Sequence, residues 1–268
     1  MQRYLAERVS REFELVALIV QVSPPPPALS TRVKRYLNPL RTVKHLVARA
    51  GVAWFQRRDR RRIQALFALD GWAGGWPSCA VACQTVNINA EEVVRHLATV
   101  RPDVVLVNGT QLLRRPVLAL RPQIRPGFLN LHTGLSPYSR GGNCNLYMLL
   151  EGRLEWCGVT VHAIDEGIDS GPIFRSAQLE FDRDDSYELI DARSFRQGFD
   201  LLIDTAKTMQ RGGLEPVPQW EDGKLFLRRT GYVFEPWQRL CANLQVSRGA
   251  VKRYLAAGGH AARPVRLI

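Results

Sequence analysis

Asn130 and His132 lie two positions apart in the segment GFLNLHTGLSPYSRGG, residues 127–142. On a β-strand, residues i and i+2 project from the same face, so the two side chains point together. A second segment, GVTVHAIDEGIDSGPIF over residues 158–174, carries Asp169 in a glycine-containing loop that can return toward His132. An amide, an imidazole and a carboxylate at one point suit hydrogen-bond donation to a developing negative charge and proton transfer.

The alternative for these residues is structural, since a buried asparagine and histidine can satisfy each other's hydrogen bonds in a core. Their position favours chemistry. Ligand sites in open α/β sheets lie at the carboxyl ends of the strands. The turn-rich loop that follows His132 would then form one wall of a cleft.

The elements that must position these groups alternate between strand and helix. An amino-terminal helix is predicted over residues 1–13, because apolar residues recur at every fourth position. Apolar, β-branched runs predict strands at residues 15–22, 79–86 and 102–109. The basic stretch 37–69 predicts two helices around Gly51.

Later helices are predicted from their capping residues. Asn89, with Glu92 three positions on, predicts the start of one helix, and a further helical stretch leads to Arg125. Asp185, with Glu188, predicts the start of a helix that ends near Met209. Beyond Gly213 we expect a β-hairpin with a turn at Asp222-Gly223, followed by two short terminal helices.

This alternation predicts an α/β fold with a doubly wound, mostly parallel sheet. The expected division is a main domain over residues 1–210 and a carboxyl-terminal extension of a hairpin and helices over 211–268. A doubly wound sheet usually opens on a strand and a glycine-rich turn, whereas this chain opens on a helix. We therefore expect the first strand to be missing and the functional chain to begin upstream of Met1.

Composition narrows the class of protein. The chain has 268 residues with 46% hydrophobic and 23% charged residues, as in ordinary globular proteins. Its formal charge of +12 suits an acidic partner such as nucleic acid, a phosphorylated substrate or a membrane surface. Of the 37 basic residues 32 are arginine, a skew that is also typical of a GC-rich genome.

The cysteine spacings and the first 14 residues predict the cellular compartment of the protein. Five cysteines at spacings that match no zinc pattern predict free thiols in a reducing compartment, and hence a cytoplasmic protein without a metal site. The charged first 14 residues do not resemble a secretory signal, and the apolar runs are far shorter than the ~20 residues of a membrane span. No membrane association is expected.

Three separated elements carry a family resemblance. They are N-x-H, L-x-P-Y-x-R-G, and G-V-T-x-H-x-I-D-x-G-I-D-S-G-P-I, in that order. Together they resemble the formyltransferases that use 10-formyltetrahydrofolate, which include glycinamide ribonucleotide, methionyl-tRNA and nucleotide-sugar N-formyltransferases. The resemblance covers roughly residues 14–209. It implies a Rossmann-type, formyltransferase-like fold and a one-carbon group transfer with no metal.

Residue roles follow from that resemblance position by position. Asn130, His132 and Asp169 match the catalytic asparagine, histidine and aspartate of the family. Two segments match the folate-binding positions, namely Gln111, Leu112 and Leu113, and Asp165, Glu166, Gly167 and Ile168. Three more residues are candidates for the amine site or for support of the catalytic groups: Ser136, Arg140 and His162. Because a nearby anion raises the pKa of an imidazole, we also expect Asp169 to keep His132 charged.

The chain departs from the family pattern after the histidine, where S-L-L-P is replaced by Gly134-Leu135-Ser136-Pro137. The extension after Met209 is shorter than the barrel domain of a methionyl-tRNA enzyme and closer to the sugar-type enzymes. The expected acceptor is therefore a small primary amine, such as a nucleotide-linked amino sugar. Methionyl-tRNA, hydrolysis of formyltetrahydrofolate and an inactive folate-binding protein remain the alternatives.

Overall fold

The computed structural model describes residues 1–25, 38–79, 81–124, 127–232, 234–259 and 265–268. Its strands are β1 Ala17–Gln21, β2 Val81–Thr85, β3 Val104–Asn108, β4 Gly127–His132, β5 Ser139–Gly141, β6 Gly158–Ala163, β7 Ile173–Gln178 and β8 Lys224–Phe226. Its α-helices are α1 Gln2–Glu12, α2 Pro39–Leu66, α3 Glu91–Val100, α4 Arg115–Leu118, α5 Cys144–Leu150, α6 Tyr187–Gln210, α7 Pro236–Ser247 and α8 Ala250–Ala256.

The strands form two separate main sheets. β1 and β2 pair in parallel, and a four-stranded sheet has the order β3-β4-β6-β7. β3 and β4 are parallel, as predicted, but β6 runs antiparallel to both of its neighbours. The loop between β6 and β7 is too short for the crossover that a parallel pair requires, so the chain must reverse direction there. The predicted α/β class with parallel pairing is confirmed.

Helix α6 packs across the four-stranded sheet and holds β4 in place. Gly198 in α6 lies so close to this strand that a Cβ atom would come within 2.7 Å of the Leu131 side chain. Leu129, Val161 and Phe199 are fully buried at this contact layer. The strand that carries Asn130 and His132 is therefore fixed by close helix packing on the opposite residues.

The stretch around Gly51 forms one continuous helix, α2, and the prediction of two helices there is wrong. A Cβ atom on Gly51 would lie 2.6 Å from Cδ1 of Leu240 in α7. The glycine thus permits two helices to approach closely, and it does not end a helix. Residues 37 and 125, at the ends of two predicted helical stretches, lie outside the described residues.

Both predicted helix caps are wrong by one residue. Helix α3 has Ala90 as its N-cap, and Asn89 instead binds a loop that is considered below. Helix α6 has Ser186 as its N-cap, whose side chain accepts from the Leu189 amide. Asp185 pairs with Arg193, at 2.9 Å from its Nη1. Asn89 and Asp185 thus bind groups other than the helix amides that local capping patterns predict for them.

The predicted hairpin at Asp222-Gly223 is also absent from the described structure. Strand β8 pairs in parallel with β5, joining Ser139 to Lys224 and Gly141 to Phe226. Gly223 makes this possible, because a Cβ atom there would lie 1.5 Å from the Pro137 carbonyl oxygen. The carboxyl-terminal segment therefore supports the loop that follows His132.

Residues beyond 210 share the main hydrophobic core. Phe226, Ala242, Val246 and Val251 belong to the same buried cluster as Leu129 in β4. The division of the chain at residue 210 stays a prediction. Among the residues that the structure describes, no helix combines the length and the apolar character that crossing a membrane would require.

Candidate active site

Strands β4 and β6 bring an asparagine and two histidines together. Asn130 and His132 lie on the same face of β4, and the antiparallel register sets Asn130 opposite His162 of β6. The Asn130 Nδ2 atom lies 3.0 Å from Nε2 of His162. Both histidines are buried, with 5% and 3% of their surfaces exposed. The sheet therefore builds a rigid polar cluster inside an apolar surrounding.

Asp169 completes the cluster from the loop between β6 and β7. Its Oδ1 lies 3.2 Å from Asn130 Nδ2, and its Oδ2 lies 3.4 Å from Nδ1 of His132. The residue adopts a positive φ of 47°. Gly171 lets the loop fold back, since a Cβ atom there would lie 1.8 Å from the Ala163 carbonyl oxygen. The predicted convergence of Asn130, His132 and Asp169 is present in the structure.

One hydrogen bond fixes the orientation of the His162 ring. Its Nδ1 lies 2.7 Å from the Ala163 carbonyl oxygen and must donate to it. In the neutral ring Nε2 is then an acceptor, which suits the Asn130 amide. In that tautomer both neighbours of the Asn130 Nδ2 atom, His162 and Asp169, lie inside the cluster, and His162 Nε2 is itself 3.4 Å from Asp169 Oδ1. A substrate oxygen must replace one of these partners to receive a hydrogen bond from Asn130.

Burial governs the charge of His132. Its Nδ1 faces Asp169 and its Nε2 lies 3.3 Å from the Ser139 carbonyl oxygen. Burial lowers the pKa of His132 below its ordinary value, and this outweighs the opposing effect of the Asp169 carboxylate. The expectation that Asp169 keeps His132 charged is therefore not supported, and we assign a neutral ring to the free protein at neutral pH.

Asp169 is the anion of the cluster. Burial acts to raise the pKa of its carboxyl group, but the charge that His132 carries when it is protonated, together with the neighbouring His162 and the Gly141 amide, holds that pKa well below its ordinary value. The Gly141 N–H donates to Oδ2 at 2.9 Å. The site thus carries one fixed negative charge surrounded by nitrogen atoms.

Acidification is expected to lower the free energy of unfolding. The pKa of His132 is lower in the folded protein than its value of 6.5 in the unfolded chain. Its contribution to stability is therefore fully present above pH 6.5 and is lost as the pH falls through the pKa of the folded state. The depressed pKa of Asp169 adds a loss in the same direction below about pH 4.

Urea unfolding between about pH 7 and about pH 5 checks the histidine contribution. The variant His132→Gln should show a shallower pH dependence, because it lacks the titrating ring. Equal slopes in the two proteins would contradict this assignment.

The two predicted folate segments are joined by an ion pair between neighbouring side chains. Asn89 holds the first, since its Oδ1 accepts from the Arg114 amide at 2.7 Å and its Nδ2 donates to the Leu112 carbonyl at 2.9 Å. Leu112 is 47% exposed. An ion pair of 3.9 Å between exposed Arg115 and Glu166 joins the first segment to the second. Of the predicted residues, Gln111 is exposed as well, whereas Leu113 is buried.

The second segment is ordered by its own aspartate. Asp165 Oδ1 accepts from the Gly167 amide at 3.0 Å and from the Ser170 hydroxyl at 2.9 Å. These bonds occupy the Asp165 carboxylate, so it shapes the loop that carries Glu166, Gly167 and Ile168. The loop is therefore formed before any ligand arrives.

The three supporting candidates occupy different environments. His162 lies within the cluster. Ser136 is fully buried and its amide donates to Thr160 Oγ1 at 2.9 Å, so its side chain does not reach the site surface. Arg140 borders a cavity of about 460 Å³ that is also lined by Ser170, Pro172, Pro218, Gln219, Trp220, Glu221 and Asp222. The Arg140 Nε atom is buried, and within the described part of the chain it has no hydrogen-bond partner.

Gln219 is a positioning residue that the sequence does not indicate. Its Nε2 donates to the carbonyl oxygens of Asp169 at 2.8 Å and Gly171 at 3.0 Å. Isolated pairing between Ile173 and Val217 brings this segment alongside β7. Since the partners are about 50 residues apart, no local motif could reveal the contact.

A second cluster of polar side chains lies on β2 and α3. Ligand atoms of Cys83, Glu92 and His96 lie within 4.8 Å of one another. Cys83 Sγ is 3.7 Å and His96 Nε2 is 3.6 Å from Glu92 Oε1. Sequence spacing suggested no such group, because the strand and helix meet only in the fold. It shares no residue with the Asn130 cluster.

Known proteins resemble this chain in sequence. The chain is 36% identical over 127 residues to a methionyl-tRNA formyltransferase of a Roseiflexus species, covering 47% of this chain and 38% of that protein. It is 30% identical over 200 residues to the Chloroflexus aggregans enzyme of the same name, covering 67% of this chain and 62% of that protein. The chain thus spans less than two thirds of either relative.

Solved structures give weaker likenesses. A sugar N-formyltransferase from a Shewanella species matches with a TM-score of 0.49 and 14% identity, over 87% of this chain and 88% of that one. The sequence model of the formyl transferase family matches residues 51–205, more than half of the chain, and includes Asn130, His132 and Asp169. The chain therefore belongs to the formyl transferase family.

Proposed function

We propose that the protein transfers a formyl group from 10-formyltetrahydrofolate to a primary amine. The convergence of Asn130, His132 and Asp169, with separations of 3.2 and 3.4 Å, is the observation that carries this proposal. The family match supports it. The residues present also fit a folate, because the ordered loop at Asp165 is joined through the Arg115–Glu166 ion pair to the segment that exposes Leu112.

The donor supplies an activated formyl carbon. In the proposed reaction a bond from the amine nitrogen to that carbon forms, the bond from the carbon to N10 breaks, and one proton passes from the amine to N10. Asn130 donates a hydrogen bond to the formyl oxygen as negative charge develops there, after giving up one internal partner. Neutral His132 and anionic Asp169 accept and return the proton.

The cavity beside Asp169 supports a small amine that carries an anionic group. Arg140 borders this cavity, and its side chain is 19% exposed. Its Nη2 already contacts Asp222 at 3.3 Å, and Asp222 is almost fully exposed. A substrate phosphate would compete with Asp222 for the guanidinium. This supports a nucleotide-linked amino sugar as the acceptor class.

Methionyl-tRNA is the second acceptor considered. The named function of the Roseiflexus and Chloroflexus relatives and the net charge of +12 favour it. The contacts of the carboxyl-terminal segment favour a role other than tRNA binding. Gln219 and β8 pack on the loops of the candidate site. We propose that this segment positions those loops and binds no tRNA.

Incubation with 10-formyltetrahydrofolate and a panel of amines tests the proposal. The panel contains nucleotide-linked amino sugars, glycinamide ribonucleotide and methionyl-tRNA, with an arm that lacks any amine. Turnover that depends on a small amine supports the proposal. Turnover only with methionyl-tRNA would identify the second acceptor as the substrate. Equal turnover without amine indicates a hydrolase, and folate binding without turnover indicates a binding protein. Either of these last two results contradicts transfer.

A further inference from the structure

A cysteine, a glutamate and a histidine meet where strand β2 contacts helix α3. Cys83 lies in the middle of β2, and Glu92 and His96 lie about one turn apart on α3. Cys83 Sγ is 3.7 Å from Glu92 Oε1, and His96 Nε2 is 3.6 Å from the same oxygen. One ligand atom of each residue lies within 4.8 Å of the other two. We call these three residues the β2–α3 cluster.

Apolar packing holds the helix that carries two of these side chains. Val93 and Leu97 of α3 are buried, and they pack in one cluster with Ile19 of β1. Glu92 and His96 each precede one of these buried residues in the sequence. Residues four positions apart lie on the same side of a helix, so packing of α3 holds the carboxylate and the imidazole together beside β2.

The separations suit one tetrahedral metal ion. Zinc binds cysteine sulfur at about 2.3 Å and histidine nitrogen or carboxylate oxygen at about 2.0–2.2 Å, which places neighbouring ligand atoms of a tetrahedron roughly 3.3–3.6 Å apart. The observed separations of 3.6 and 3.7 Å are close to that range. Cys83 and His96 lie within 4.8 Å of each other, and rotation of the His96 side chain, which is 32% exposed, can shorten this separation.

The three donor atoms suit a divalent transition metal in type and in charge. Thiolate and imidazole favour zinc and similar ions, whereas magnesium and calcium prefer oxygen ligands. One thiolate and one carboxylate carry two negative charges, which balance a divalent cation beside a neutral imidazole. The Cys83 thiol would release its proton to the solvent as the bond from sulfur to the metal forms.

One side of the cluster is open to solvent. The Glu92 side chain is 59% exposed, whereas Cys83 is only 6% exposed. An ion can therefore enter past the glutamate and reach the buried sulfur. Three protein ligands leave the fourth position of a tetrahedral ion to water.

We propose that the β2–α3 cluster binds one divalent ion of the zinc type through Cys83, Glu92 and His96, with water as the fourth ligand. The ion would join β2 to the first turns of α3. Asn89, which holds the first predicted folate segment, lies just before this helix. The inference goes beyond the proposed reaction, because the cluster shares no residue with the Asn130 cluster.

Titration with Co²⁺ tests this site in the full chain. The reduced protein is treated with a chelator and dialysed, and the charge-transfer absorption of a cobalt–thiolate bond is followed. The unaltered protein and the control Cys241→Ser, which removes a free thiol on α7, should both bind one equivalent with this absorption. Cys83→Ser should abolish the absorption. No absorption in the unaltered protein, or an unchanged titration in Cys83→Ser, would overturn the proposal.

Thermal unfolding with Zn²⁺ is a second measurement that does not depend on replacing a buried residue. His96 is partly exposed, so His96→Gln should fold and yet bind zinc at least about tenfold more weakly, since loss of even an outer-shell partner costs roughly 10–100-fold in affinity. Zn²⁺ should raise the unfolding midpoint of the unaltered protein and of Cys241→Ser, because it binds the folded state, and should raise that of His96→Gln much less. Equal rises in all three proteins contradict the site. Neither measurement depends on catalysis, so failure here is distinct from failure of formyl transfer.

Discussion

Replacing His132 with alanine or Asp169 with asparagine is expected to lower the turnover number by about 10²–10⁴-fold each. His132 contributes the neutral ring next to the reacting atoms, and Asp169 contributes the fixed negative charge of the cluster. Asparagine suits position 169 because it tolerates the positive φ of 47° that the loop requires there. The substitution therefore removes the charge and leaves the backbone in place.

Folate affinity separates this effect from a loss of structure. Both residues are assigned to the chemical step, so the dissociation constant for 10-formyltetrahydrofolate, measured by calorimetry, should stay within a few fold of the unaltered protein. The exposed aspartate Asp184 offers a matched control, and Asp184→Asn should leave single-turnover rates unchanged. Near-normal rates in His132→Ala or Asp169→Asn would remove that residue from the proposed mechanism.

Replacing Arg239 with methionine is expected to lower the free energy of unfolding by about 3–5 kcal/mol. Glu188 in α6 is 3% exposed and pairs with Arg239 of α7 through two nitrogens. Gln56 of α2 and Asn243 of α7 also donate to its carboxylate. Arg239 supplies the positive charge that balances the buried Glu188 carboxylate. Methionine at position 239 leaves that carboxylate buried without a positively charged partner.

Urea unfolding of matched variants checks this value. Lys252→Met breaks the exposed pair with Asp184, which lies at 3.8 Å, and should cost about 0–1 kcal/mol. The double variant Glu188→Leu with Arg239→Met should recover part of the loss, because the buried Glu188 carboxylate is removed together with its partner, whereas Asp191 still loses its contact with Arg239. A loss below about 1 kcal/mol for Arg239→Met alone would show that the network contributes little to stability.

Local patterns were sufficient to predict the central cluster. The two-residue period of a strand put Asn130 and His132 on one face, and glycines beside Asp169 indicated a loop able to fold back. The alternation of apolar strands and amphipathic helices predicted the α/β class and parallel pairing. These inferences succeed because each depends on backbone geometry within a short segment.

Contacts between distant segments were beyond such reasoning. The sequence predicts a helix end at Gly51, because glycine weakens a helix. The reason for a glycine inside α2 is the close packing of Leu240, which lies far along the chain. The segment near Asp222-Gly223 looked like a hairpin, since the partner strand of β8 lies about 80 residues earlier, at β5. The lowered pKa of His132 likewise depends on burial by the whole fold.

The contact of Gln219 with the Asp169 loop has a consequence for the order of events on the ribosome. Strands β4 and β6 emerge well before Gln219, so Asn130, His132 and His162 can meet while synthesis continues. The backbone around Asp169 gains its clamp only after Gln219 has left the exit tunnel, and β5 gains its partner only after Phe226. In a nascent chain these side chains can therefore come together before Gln219 restrains the backbone around Asp169.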